Sequence, residues 1–161
     1  SSSSVYGANT ALPKNEKMWM QPMSPYAASK LSAEAFMSAY SSTYGMKTTI
    51  LRFFNVFGPR QRPDHEYAAV LPKWIWKVLH NEEIELHGDG TQTRDFTYVK
   101  TVCDVIESAI INKVYSPKVT NLAYGNNISL NKVIEMLKKR QGEIKIKKLD
   151  TRMRLLVSIP A

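Results

Sequence analysis

Tyr26 and Lys30 stand four residues apart in the run Tyr26-Ala27-Ala28-Ser29-Lys30. On a helix that spacing puts a phenol and an ammonium on one face. A nearby positive charge favours phenolate over phenol, and a phenolate can take the proton of a substrate hydroxyl as a general base. Alone, the pattern is common, and a core tyrosine beside a surface lysine also produces it. Other polar groups punctuate the chain: the serines Ser1 to Ser4, Asn55 ahead of Gly58-Pro59, and Arg94 beside Asp95. Each has a plainer reading, Asn55 as turn chemistry and Arg94 as half of a surface ion pair. Trp74 and Trp76 read equally as core of an apolar helix. Three histidines and the single Cys103 lack paired spacing, so no metal site is expected. Asp64, Glu66, Glu82 and Glu83 read as solvated surface.

These groups need elements to hold them. Ser24-Pro25 has the chemistry of a helix start, a serine cap followed by proline at the first helical position, and Gly45 is a natural stop. Tyr26, Leu31, Ala35, Phe36, Ala39 and Tyr40 fall on a helical stripe expected to face the core. Residues 47–54 read as a β-branched and aromatic strand, Tyr67 to His80 as a second helix with Pro72 near its start, and Glu83 to Leu86 as a short strand. A third helix is expected over Val99 to Ile111, a strand over Val119 to Ala123, a helix from the Ser129 cap to Arg140, and a half-exposed strand over Glu143 to Leu149. Strand–helix alternation predicts an α/β fold with mostly parallel pairing.

The chain has 161 residues, 43% hydrophobic and 22% charged, which excludes wholesale disorder. No apolar run is long enough for a membrane span, and one cysteine suits a reducing cytoplasm. The net charge of +8 is uneven, with +6 of it from Lys138 onward. That basicity reads as a solvated helix end and edge strand, so no specific nucleic-acid or membrane partner is expected. Because the chain opens on Ser-Ser-Val-Tyr-Gly with no strand before it and no Gly-rich phosphate loop, it reads as a piece of a larger protein.

Five blocks in order carry a resemblance: Ser1 to Gly7; Ser24-Pro25-Tyr26 with Lys30; Leu51-Arg52-Phe53-Phe54-Asn55-Val56-Phe57-Gly58-Pro59-Arg60-Gln61; Tyr67 to Lys73; and His87-Gly88-Asp89-Gly90-Thr91-Gln92-Thr93-Arg94-Asp95-Phe96. Together they resemble the extended short-chain dehydrogenase/reductase family, and within it the nucleotide-sugar epimerases and dehydratases, nearest the UDP-glucose and UDP-N-acetylglucosamine 4-epimerases. The resemblance implies a partial Rossmann-like doubly wound parallel sheet with a small α/β substrate-binding portion. Residues 1–60 would be the C-terminal part of the NAD-binding domain. Residues 61–161 would be mostly substrate-binding, interleaved with returning Rossmann elements.

The same resemblance implies roles. Ser2, Tyr26 and Lys30 would be catalytic, and Tyr26, Lys30 and Phe54 would touch NAD. Ser2, Asn55, Ala69, Val70, Trp74, Leu86, His87 and Arg94 would contact a UDP-sugar, Asn55 and Arg94 at its diphosphate and Leu86–His87 at the uracil. The implied reaction is epimerisation at C4 through a transient 4-keto sugar, in a cytoplasmic homodimer of carbohydrate metabolism. Ser3-Ser4 stand where related dehydratases carry Asp-Glu and decarboxylases a Glu, which favours the epimerase. The alternatives are a non-catalytic sugar-nucleotide-binding remnant, or a dehydratase or decarboxylase. The piece alone is expected to be inactive. A family Arg-x-Gly-Asp closing segment is reduced here to Arg152 at most.

Overall fold

Ser24 and Pro25 do what their side chains require. In the computed structural model, which describes residues 1–64 and 69–150, helix α1 spans Pro25–Tyr44. The Ser24 hydroxyl accepts the Ala27 amide at 3.1 Å, and Gly45 closes the helix in the left-handed conformation, φ 65°. The other helices are α2 (Val70–Leu79), α3 (Val99–Ile111) and α4 (Leu130–Gln141). The strands are β1 (Thr49–Phe53), β2 (Val56–Phe57), β3 (Ile84–His87), β4 (Thr93–Arg94), β5 (Thr97–Tyr98), β6 (Ser116–Leu122), β7 (Ile128–Ser129) and β8 (Ile146–Leu149). The expected helix start at Tyr67, together with Glu66 and Arg152, lies outside the described residues.

The chain divides into two compact units, residues 1–56 with 97–124, and residues 57–96 with those from Gly125 on. In the first unit β1 and β6 pair in parallel, Arg52 opposite Asn121 and Phe53 opposite Leu122. A 3-10 turn, Ser3–Tyr6, precedes α1, and Ser2 bridges to Phe53 in parallel. The expected core stripe of α1 faces outward instead: Phe36 is 66% and Tyr40 50% exposed. Ala27 and Glu34 are the buried residues of the helix. The reason is electrostatic, because α1 must turn its Glu34 face inward for the carboxylate to meet Arg52. With Glu34 turned outward, the buried Arg52 guanidinium would lose its carboxylate, which costs more than exposing two rings.

The second unit has a conventional apolar core. Trp74 and Val78 of α2, Ile84 and Leu86 of β3, and Leu130, Val133 and Ile134 of α4 pack together. β3 pairs in parallel with β8 from Ile84–Ile146 to His87–Leu149, and β4 pairs antiparallel with β7. Ser129 caps α4, accepting the Lys132 amide at 3.1 Å. Lys138, Lys139 and Arg140 occupy its last turn, where cations complement the helix dipole. Among the described residues no helix is long and apolar enough to cross a membrane.

Gly7 is a fixed point of the first unit. Its φ is 49°, and a Cβ there would lie 1.6 Å from the Gln21 carbonyl oxygen. That carbonyl also accepts the Ala8 amide at 3.0 Å. Gly7→Ala is therefore expected to cost roughly 2–4 kcal/mol, since backbone must shift and strain is added. An unchanged urea midpoint would show that the loop through Gln21 yields freely.

Candidate functional site

Ser2, Phe54 and Asn55 gather at the C-terminal end of β1. Ser2 caps the 3-10 turn, its Oγ accepting the Ser4 amide at 3.2 Å and the Ser4 hydroxyl at 3.0 Å. A hydroxyl has two acceptor sites and one proton, so a Ser2 Oγ that accepts twice keeps its proton to donate. The Phe54 amide donates to the Leu122 carbonyl at 3.2 Å, and its half-buried ring lies 6.3 Å from that of Tyr6. Asn55 takes φ 34°, a left-handed conformation asparagine tolerates better than most residues. Its carbonyl accepts the Thr97 amide at 3.4 Å and the residue is exposed.

Tyr26 and Lys30 sit in the first two turns of α1. The Lys30 ammonium lies 5.4 Å from the centre of the Tyr26 ring. Tyr26 is 56% exposed and Lys30 half-buried, so the pair can reach a ligand without unfolding anything. A phenol beside a positive charge is equipped for moving a proton.

Behind these groups runs a buried polar network that sequence reasoning missed. Arg52 is 1% exposed. Its Nε donates to Glu34 Oε1 at 2.8 Å and its Nη2 to Oε2 at 2.7 Å, a two-pronged ion pair. Its Nη1 donates to the Tyr6 hydroxyl at 2.9 Å, which donates onward to Asn121 Oδ1 at 2.8 Å. The Ser1 hydroxyl adds a bond to Glu34 Oε1 at 2.6 Å. Burial would push the Glu34 carboxyl up, but the Arg52 and Ser1 hydrogen bonds and the Arg52 charge hold it below its ordinary value. The signal was available: an arginine inside the apolar run Ile50-Leu51-Arg52-Phe53-Phe54 demands a partner.

In the second unit the named residues split by environment. Val70 opens α2 after Ala69 and packs against the core, in which Trp74 and Leu86 are buried. Trp74 Nε1 donates to the Glu85 carbonyl at 3.1 Å. Both side chains are committed to packing. His87, at the carboxyl end of β3, differs. Its Nδ1 is buried without a hydrogen-bond partner among the described residues. The Gly88–Gly90 turn beyond it is braced by Asp89, which accepts the Thr91 amide at 3.0 Å and hydroxyl at 2.7 Å. Arg94 lies on β4, half-buried, with Nη1 donating to the Thr93 carbonyl at 2.8 Å.

Comparison with known proteins sharpens this picture. Residues 1–123 match the family described as "Epimerase: NAD dependent epimerase/dehydratase family". A UDP-glucuronate 4-epimerase of Thermodesulfobacterium geofontis is 38% identical over 146 residues, covering 89% of this chain and 43% of the relative. A UDP-N-acetylglucosamine 4-epimerase from Methanobrevibacter ruminantium M1, solved with UDP-N-acetylmuramic acid, superposes with a TM-score of 0.87 at 39% identity, over 93% of this chain and 48% of that one. A UDP-glucuronic acid 4-epimerase from Bacillus cereus, solved with NAD, gives 0.83 at 34% identity, over 94% and 48%. The chain thus spans less than half the length of these relatives. The likeness makes the fold a Rossmann-like α/β one.

Proposed function

The chain belongs to the NAD dependent epimerase/dehydratase family, and from that premise we propose that it is the catalytic-base and substrate-side part of a UDP-sugar 4-epimerase. The observation that carries the reading is Lys30 held over the Tyr26 ring, with a donor-ready Ser2 on the same unit and no second acid or base at Ser3-Ser4. Tyr26 takes the proton from the sugar 4-hydroxyl, Ser2 steadies that oxygen, and Lys30 stands beside the Tyr26 ring. A single base at O4 is what C4 inversion through a 4-keto sugar requires.

NAD is the family's cofactor, and the donor set of the first unit fits it. The Tyr26 hydroxyl and the Lys30 ammonium suit ribose hydroxyls, and the half-buried Phe54 ring suits a nicotinamide face. When bound, NAD supplies the acceptor and donor of the C4 hydride. In the family's pattern Asn55 of the first unit serves the diphosphate, as does Arg94 of the second, and Ala69, Val70, Trp74 and Leu86 of the second unit serve the nucleotide. His87, at the carboxyl end of β3, stands at the uracil end of the nucleotide. The outward Phe36, Met37, Tyr40 and Tyr44 of α1 suit a homodimer contact, and the free thiol of Cys103 suits the cytoplasm.

The test is the product. The whole protein, given NAD and a UDP-sugar in deuterated water, is expected to yield the C4 epimer with no deuterium at C4, because the hydride returns without exchange. A 4-keto-6-deoxy product would make it a dehydratase, and binding without turnover would leave the remnant reading.

A smaller prediction concerns anchoring. Hydrogen bonds to charged groups are worth about 1.5–3 kcal/mol, and about 1.4 kcal/mol is tenfold in affinity. Arg94→Ala is therefore expected to weaken UDP-sugar binding by roughly 10- to 100-fold in calorimetry. Unchanged affinity would remove Arg94 from the diphosphate.

A further inference from the structure

One buried carboxylate ties together every segment of the first unit to which chemistry is assigned. Glu34 lies one helical turn beyond Lys30 on α1. Its Oε1 receives the Ser1 hydroxyl at 2.6 Å, next to Ser2, and both its oxygens grip Arg52 of β1, the strand that leads into Phe54 and Asn55. Arg52 in turn holds Tyr6, the last residue of the turn that Ser2 caps. Most of α1 faces outward, with Ala27 and Glu34 its buried residues. An ion pair is thus the principal directional contact that fixes where the helix stands.

We propose that Glu34 is a positioning residue, which through Arg52 and Ser1 sets the spacing between Ser2 and the Tyr26–Lys30 pair. The proposal rests on Tyr26 being the base. It assigns Glu34 no proton to move. A misplacement of about 1 Å far from the reacting atoms can cost about a hundredfold in rate while ground-state contacts survive.

The experiment uses the whole protein. Glu34→Gln keeps the side-chain shape and removes the charge. Its kcat is expected to fall at least about tenfold, with KM for the UDP-sugar within about threefold. Amide hydrogen exchange, read without cofactor or substrate, is expected to accelerate at residues 2–6 and 26–30 and to stay unchanged in α2 and α4. Wild-type kcat in a folded Glu34→Gln overturns the proposal. So does a loss shared equally by KM, or exchange that accelerates everywhere, since either marks a merely structural pair. Should the single variant not fold, Glu34→Gln with Arg52→Met removes both buried charges together and leaves neither stranded. The same kcat loss is expected there, and a folded double variant with full kcat is equally fatal. Tyr26→Phe, assayed alongside, separates the two readings: if it retains turnover, the assigned base is wrong, whereas the exchange pattern tests Glu34 independently.

Discussion

Tyr26→Phe in the whole protein is expected to lower kcat for C4 epimerisation by about 10²–10⁴-fold, the usual worth of a positioned general base. The dissociation constant for a UDP-sugar should stay within about threefold, because the phenol acts on a proton in flight whereas charged contacts at the diphosphate supply ground-state affinity. The ring remains, so the packing of α1 is undisturbed; Tyr26 is 56% exposed and little rests on its hydroxyl for stability. Single-turnover kinetics beside calorimetry separates the two quantities. Turnover within a few fold of wild type would remove Tyr26 from the catalytic role, and a parallel loss of affinity would make it a binding residue.

The largest effect on stability is expected at the opposite end of the polarity scale from an ordinary core position. Arg52→Leu should cost about 3–5 kcal/mol near neutral pH, because it strands the Glu34 carboxylate in a nearly dry site. The Glu34 side chain is 5% and that of Arg52 1% exposed, so solvent cannot take over the missing bonds. The effect depends on pH, with a definite sign. In the wild type the Glu34 carboxyl is held below its ordinary value. Its contribution is therefore fully present above the unfolded carboxylate pKa of about 4.3 and lost as pH falls through the folded value. In the variant the Arg52 bonds and charge are gone, burial outweighs the remaining Ser1 hydrogen bond, and protonation relieves the stranded charge. The stability gap should accordingly narrow on acidification from pH 7 toward pH 4, as read by urea unfolding of both proteins. A gap that widens, or one well below 1 kcal/mol at pH 7, would mean that the pair is hydrated and structurally idle.

Local chemistry was the legible part of the sequence. Cap-and-stop signals set α1 at Ser24 and Gly45, and α3 runs over Val99–Ile111 as the pattern implies. The ordered motifs pointed to the family to which the chain belongs. The facing of α1 was not legible, since apolar periodicity weighs rings against water and is blind to one carboxylate whose partner lies on a distant strand. Glu34 and Arg52 are 18 residues apart, and Tyr6 and Arg52 are 46 apart. The two-residue strands β2, β4, β5 and β7 are too short to show any alternation. For the site, the Tyr26–Lys30 pairing followed from helix geometry alone. The burial of Trp74 and Leu86 in one core did not, because an aromatic on an amphipathic helix looks the same in sequence whether it meets a ligand or a neighbouring strand.

The interleaving of the two units has a consequence for how the chain is made. β1 waits for β6 and β3 waits for β8, each partner arriving more than sixty residues later. At roughly 5–20 residues per second of synthesis, each first strand leaves the ribosome several seconds before β6 or β8 exists for it to pair with. Throughout that interval Ile50, Leu51, Phe53, Ile84 and Leu86 are apolar segments without their sheet partners. Such transiently unpaired apolar segments are where aggregation competes with folding, so the yield of folded protein should respond to translation speed and temperature more than its finished stability would suggest.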